Sequence, residues 1–269
     1  MNTIKKTKIV ATLGPATSSK KVIEKMILAG VNVFRVNFSH ADYNDVKKRI
    51  KMIRKVDKEL NTNTAILGDL QGPKLRIGVI DKEAEVNPGD RVLFSTDNPF
   101  TGNAKKAYMN YQNFPKDVSK GERILLDDGK LIFEVTKTNN KNEVEAIVIQ
   151  GGALKSNKGV NLPNTKISLP ALTEKDVKDA KFIFTQDFDW IALSFVRYSQ
   201  DLIDLKKLML ENTDRKIPII SKIEKPEAIE NIDKIIAYSD GLMVARGDLG
   251  VEVPAQEVPL IQKRLVLLA

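Results

Sequence analysis

The chain has 269 residues, room for one large domain or two smaller ones, and its 42% hydrophobic and 29% charged content is ordinary for a globular protein. Lys and Arg number 43 against 35 Asp and Glu, a net charge of +8 that suits small polyanionic substrates. There is no cysteine, which excludes disulfides, zinc–thiolate centres and thiol nucleophiles. The longest run without a charge, residues 9–19, is too short to cross a bilayer. The basic start, Lys5-Lys6, has no adequate apolar stretch behind it. The expectation is a cytoplasmic chain with no signal peptide and no membrane contact.

Taken in chain order, short apolar runs alternate with helical periodicity, the pattern of parallel βαβ units. Strands are expected at residues 8–13, 31–37, 65–69, 190–194, 217–223 and 241–245. Helices are expected at 19–29, 43–60, 174–186, 199–212 and 227–238, with a last helical stretch at 256–269. Ser18, Thr173 and Ser199 suit N-caps, and Gly30 suits a helix end. The basic run from Lys47 to Lys58 carries apolar Val46, Ile50, Ile53 and Val56 at three- and four-residue steps. That spacing describes an amphipathic helix with a solvated basic face, and without interleaved aromatics it is no nucleic-acid platform. Trp190 opens an apolar strand and is expected in the core.

The rhythm breaks between Gly72-Pro73 and Leu169-Pro170. There the sequence shows strand-like pieces at 91–95, 131–136 and 143–149, separated by turns such as Asn87-Pro88-Gly89-Asp90 and Asp127-Asp128-Gly129. Residues 73–169 therefore read as a small inserted β domain with hinge-like ends, as a lid would need. The insert takes 97 residues and leaves 172 in segments 1–72 and 170–269. A full (β/α)8 barrel takes about 250 residues, so 172 supplies five to six units. The expected fold is an α/β barrel of the TIM type, incomplete at its C-terminal end, with an inserted β lid.

Two strand ends carry the chemistry. Ser221-Lys222-Ile223-Glu224 places Lys222 and Glu224 two apart, on one side of a strand. The next strand runs into Ala245-Arg246-Gly247-Asp248. A lysine and two carboxylates at strand ends suit a divalent cation and an anionic substrate. Plainer readings stand beside these: Lys222 as a salt-bridge partner only, Glu224 and Asp248 as helix-capping acids, Arg76 and Lys158 as solvated charges, and Asn37 and Ser39 as residues that pin a loop.

Several motifs, in order, resemble the pyruvate kinase family: Lys8-Ile9-Val10-Ala11-Thr12-Leu13-Gly14-Pro15, Arg35-Val36-Asn37-Phe38-Ser39-His40, Gly72-Pro73-Lys74-Leu75-Arg76, Lys158-Gly159-Val160-Asn161-Leu162-Pro163, and the Lys222 and Asp248 motifs above. The resemblance implies a TIM barrel with a mobile β lid, and phosphoryl transfer from phosphoenolpyruvate to ADP, giving pyruvate and ATP. It implies Glu224 and Asp248 as ligands of Mg²⁺ or Mn²⁺ and Lys222 as the catalytic ammonium. Arg35, Ser194, Phe195, Ala245, Gly247 and Asp248 would line the substrate site with Lys222. Asn37, His40, Arg76, Asp128 and Lys158 match positions near the nucleotide.

In the potassium-dependent branch of the family a K⁺ sits beside the positions of Asn37, Ser39, Asp69 and Leu70, and a glutamate stands where this chain has Lys74. Lysine at that position implies that its ammonium replaces the ion, so K⁺ is not expected to be required. The family's seventh strand and C-terminal domain lie beyond this sequence, so little or no activity is expected of the chain alone, and the full-length form is expected to be a homotetramer. Two alternatives stay open here: a non-catalytic remnant, and a Mg²⁺-dependent barrel lyase or aldolase acting on pyruvate-like acids.

Overall fold

The computed structural model describes residues 6–82 and 84–269. In chain order the strands are β1 (Val10–Thr12), β2 (Val33–Asn37), β3 (Ala65–Asp69), β4 (Glu85–Val86), β5 (Arg91–Ser95), β6 (Lys106–Tyr108), β7 (Arg123–Leu126), β8 (Leu131–Thr138), β9 (Glu143–Gln150), β10 (Gly152–Ala153), β11 (Val160–Asn161), β12 (Trp190–Leu193), β13 (Ile219–Ile223) and β14 (Gly241–Val244). The helices are α1 (Lys20–Leu28), α2 (Tyr43–Leu60), α3 (Phe114–Asp117), α4 (Glu174–Thr185), α5 (Ser199–Asn212), α6 (Pro226–Glu230), α7 (Ile232–Ile236), α8 (Arg246–Glu252) and α9 (Val258–Leu268).

One sheet has the order β1-β2-β3-β12-β13-β14, with every neighbouring pair parallel. Six parallel strands, with helices in the connections between them, make up this sheet. The strand sequences are apolar because the strands are covered: Phe34, Ile66, Ile191 and Ile219 are each 0% exposed. The α2 stripe is buried as its spacing requires, with Val46, Ile50, Ile53 and Val56 at 0–5%. Of its basic residues, Arg49 pairs with Asp45, and Arg54 pairs with Asp187 and Asp189.

Residues between β3 and α4 build a separate antiparallel-rich sheet, β11-β7-β8-β9-β5-β6, and a small ladder of β10 with β4. Phe94 packs edge-on against Phe114 and Phe133, with ring centroids 6.2 and 5.4 Å apart. Its apolar cluster, from Leu75 to Leu162, shares no buried member with the cluster under the parallel sheet.

Four local expectations are corrected. Ser19, not Ser18, caps α1, accepting from the Val22 amide at 3.4 Å. Ser199 is the first residue of α5, which Tyr198 precedes, and Asp201 satisfies the entry by accepting from the Arg197 and Tyr198 amides at 2.8 and 3.1 Å. The helix expected over 227–238 is two short helices, because Asn231 leaves helical geometry and its side chain donates to the Glu227 carbonyl at 2.8 Å. Trp190 is half-buried at the start of β12 and lines a surface cavity with Arg54, Asp187 and Asp189.

Candidate active site

The parallel strands deliver their polar residues at C-terminal ends, the usual place for barrel chemistry. Asp69 ends β3, Ser194 follows β12, and Lys222 and Glu224 flank the end of β13. Strand alternation puts Lys222 and Glu224 on one side, and Lys222 Nζ lies 2.9 Å from Glu224 Oε1. The same ammonium donates to Ser194 Oγ at 2.7 Å and stands 3.3 Å from Asp69 Oδ1. Ser194 in turn donates to the Leu70 carbonyl at 2.7 Å. Arg35, on β2, donates to Asp69 Oδ2 at 2.5 Å and to Thr12 Oγ1 at 2.9 Å.

Lys222 is 8% exposed, Glu224 and Asp69 1% each, and Ser194 2%. Burial disfavours the Lys222 ammonium, but Glu224 and Asp69 outweigh it and hold its pKa above the ordinary lysine value. Burial pushes the Glu224 carboxyl up, Lys222 opposes that, and the nearby Asp248 charge adds to it. The second oxygen of Glu224 accepts from the Phe195 amide at 2.7 Å, at a residue held at φ 54°. Asp248 lies exposed in the first turn of α8. Next to it, a Cβ at Gly247 would meet nothing within 4 Å, so the backbone is open to a ligand.

Glu224 and Asp248 are thus close enough for one charge to raise the pKa of the other, and a divalent cation would relieve that repulsion. Among the described residues no group of three or more His, Asp or Glu side chains is arranged for a metal. A two-carboxylate donor set suits Mg²⁺, which keeps water and substrate oxygens in its remaining positions.

The proposed monovalent-cation positions are occupied by protein contacts. Asn37 Oδ1 accepts from the Ser39 amide at 3.0 Å, both Asp69 oxygens face cationic side chains, and the Leu70 carbonyl takes the Ser194 hydroxyl. Lys74 counts as exposed overall, yet burial and the adjacent Arg76 lower its pKa, while Asp248 and Asp128 act the other way.

The nucleotide candidates fall into two groups. Asn37 and His40 lie at the end of β2, with His40 exposed. Arg76, Asp128 and Lys158 belong to the inserted unit, where Arg76 donates to the Asn157 carbonyl at 2.6 Å and Lys158 pairs with Asp127 at 2.8 Å. Asp128 and Asp248 share a cavity of about 100 Å³ between the insert and the barrel sheet. A larger cleft of about 590 Å³ is lined by Lys74 alone among the candidates.

Residues 4–268 match the family described as pyruvate kinase, barrel domain. The chain belongs to the pyruvate kinase family. It is 46% identical over 265 residues to a pyruvate kinase of Staphylococcus saprophyticus and 44% identical to that of Staphylococcus aureus strain MRSA252. Each alignment takes in 98% of this chain but 45% of the relative, so the chain spans about half the length of these pyruvate kinases. Family membership decides against the lyase or aldolase alternative. No helix among the described residues is long and apolar enough to cross a membrane.

The sequence gives no site role to Thr12, Asp127, Asp176, Arg197, Lys225 or Glu252, each of which contacts a residue of the site, the insert or the hinge. Two of these carried a local signal: Lys225 adjoins Glu224, and Glu252 lies one helical turn beyond Asp248.

Proposed function

We propose that the protein to which this chain belongs transfers a phosphoryl group from phosphoenolpyruvate to ADP, with Mg²⁺ or Mn²⁺ at Glu224 and Asp248. One observation carries the reading: a buried ammonium, Lys222, held between Asp69, Ser194 and Glu224 at the ends of three parallel strands.

Phosphoryl transfer needs positioning and charge neutralisation more than covalent help. Lys222 is held charged and oriented, and it is placed to neutralise the transferring phosphoryl and the developing enolate oxygen. Arg35 is oriented by Asp69 and Thr12, and as a guanidinium it has N–H donors left for a phosphate oxygen. The open backbone of Gly247 and Asp248 suits the substrate carboxylate, with Ala245, Ser194 and Phe195 forming the floor. A bound divalent cation would neutralise substrate oxygens between the two carboxylates. Asn37, His40, Arg76, Asp128 and Lys158 would contact the nucleotide once the insert, residues 73–169, closes as a lid. Because protein groups already satisfy Asn37, Asp69 and Leu70, and Lys74 adds a positive charge nearby, turnover needs no K⁺.

Binding tests the reading in the chain as it stands. Mn²⁺ with phosphoenolpyruvate should raise the melting temperature of the wild type, and Asp248→Asn should abolish the Mn²⁺ effect. A wild-type chain whose melting is indifferent to both ligands would overturn the placement of the metal and substrate site within this chain.

A further inference from the structure

The two apolar clusters share no buried member, and a set of polar contacts joins the inserted unit to the barrel sheet. They gather on its exit segment. Asn161, at the end of β11, donates through Nδ2 to Glu252 Oε1 at 2.7 Å. Glu252 Oε2 lies 2.9 Å from Lys225 Nζ. Arg197, just past β12, donates to the Ile167 carbonyl at 2.6 Å and to the Leu169 carbonyl. Arg197, Lys225 and Glu252 are 6%, 4% and 6% exposed, although none of them belongs to the Lys222 constellation.

The seam is incompletely satisfied. Arg197 Nε and Glu252 Oε2 are the buried side-chain atoms among the described residues that lack a hydrogen-bond partner, and both residues line the 100 Å³ cavity that also holds Asp128 and Asp248. For Glu252 Oε2, the Lys225 contact is an ion pair at good distance without hydrogen-bond alignment. Buried polar groups left part-satisfied are costly, so they mark a surface whose geometry matters beyond stability. The entry limb is tied elsewhere: the Gly72 amide donates to Asp176 Oδ1 at 3.0 Å and the Thr173 amide to Asp176 Oδ2 at 3.0 Å, so both ends of the insert meet on one buried carboxylate.

We infer that Glu252, with Lys225 and Arg197, positions the insert over the Lys222 site. The linkage is short on both sides. Lys225 follows Glu224 directly, Glu252 lies one helical turn from Asp248, and Asn161 is three residues from Lys158. The elements that carry both candidate metal ligands thereby grip the segment that carries a candidate nucleotide lysine. These three are positioning residues, and the inference rests on the reading of the insert as a lid.

The absence of cysteine allows a direct test. Spin labels on Lys141→Cys, in the turn before β9, and Lys207→Cys, on α5, report the distance between insert and barrel. In the ligand-free chain Asn161→Ala should broaden that distribution towards open forms, raising the open-to-closed ratio roughly tenfold, as expected for losing a hydrogen bond to a charged group. Arg197→Lys, which keeps the charge but loses the two-pronged grip, should shift it the same way. Glu252→Gln keeps an acceptor for Asn161 but leaves buried Lys225 without its carboxylate, so it should shift the distribution at least as far as Asn161→Ala does. Distributions in Asn161→Ala and Arg197→Lys that superimpose on the wild type would overturn the inference. The measurement needs no substrate, so its failure is distinct from failure of Mn²⁺ and phosphoenolpyruvate to bind.

Discussion

Lys222 reaches across the intervening strand β12 to Asp69, with its ammonium 3.3 Å from Oδ1 while Arg35 holds Oδ2 at 2.5 Å. One buried carboxylate therefore orients the two cations proposed to meet the substrate, and three strands are held in fixed relation by charge as well as by backbone hydrogen bonds.

Removing the Lys222 ammonium leaves Asp69 and Glu224 buried with less compensation. Lys222→Met should destabilise the fold by about 3–5 kcal/mol, the usual cost of breaking a buried pair from one side. The Lys222 pKa is raised, so this contribution is complete below the ordinary lysine value and is lost only as pH rises through the higher folded-state value. Urea denaturation of wild type and variant at neutral pH checks it; equal midpoints would refute it.

Opposite shifts at two lysines predict opposite reactivity. Lys74 is lowered by burial and Arg76, so more of it is free amine at a given pH, whereas Lys222 is raised and buried. Brief acylation at mildly alkaline pH, read by peptide mass spectrometry, should modify Lys74 well before Lys222. Equal labelling rates would contradict both shifts.

Separate cores predict separable unfolding. Phe133 is 0% exposed in the insert's cluster, and its truncation to Ala should cost about 3–5 kcal/mol there. The single tryptophan, Trp190, sits on the other sheet. In Phe133→Ala the loss of β signal in circular dichroism should therefore precede the Trp190 fluorescence transition. Coincident transitions, both moved together, would show one cooperative unit.

Two tyrosines should resist alkali. The Tyr43 and Tyr111 phenols are each pushed up to about 12, first by burial and then by the carboxylate each donates to, Asp179 and Asp117. Their neutral forms favour the fold below the ordinary value near 10, and that contribution fades as pH climbs from there towards 12. Tyr43→Phe and Tyr111→Phe should each remove absorbance change from the part of the 295 nm titration near pH 12, and variants that remove it near pH 10 instead would contradict the shifts.

Local chemistry made much of this legible in advance. The spacing of Val46, Ile50, Ile53 and Val56 determines a helix and its buried stripe, because 3.6 residues per turn leave no other arrangement that covers all four. Alternation along a strand puts Lys222 beside Glu224, and the 2.9 Å contact follows. Apolar runs and residue count give five to six strand-and-helix units. Where the sequence misleads, nearby polar groups compete: Asn231 caps a turn that its neighbours would extend, and Asp201 takes over a role assigned to Ser199.

The amino-acid sequence by itself determined the periodicities, the strand ends that carry charge, and family membership through long ordered motifs. Only the tertiary structure decided the partners: Arg35 with Asp69, 34 residues apart; Gly72 with Asp176, 104 apart; Asn161 with Glu252, 91 apart. The reason is physical. A side chain's face is set by its own backbone torsions, which nearby residues dictate, but the charge it meets is set by how distant elements pack, and no local pattern encodes that distance.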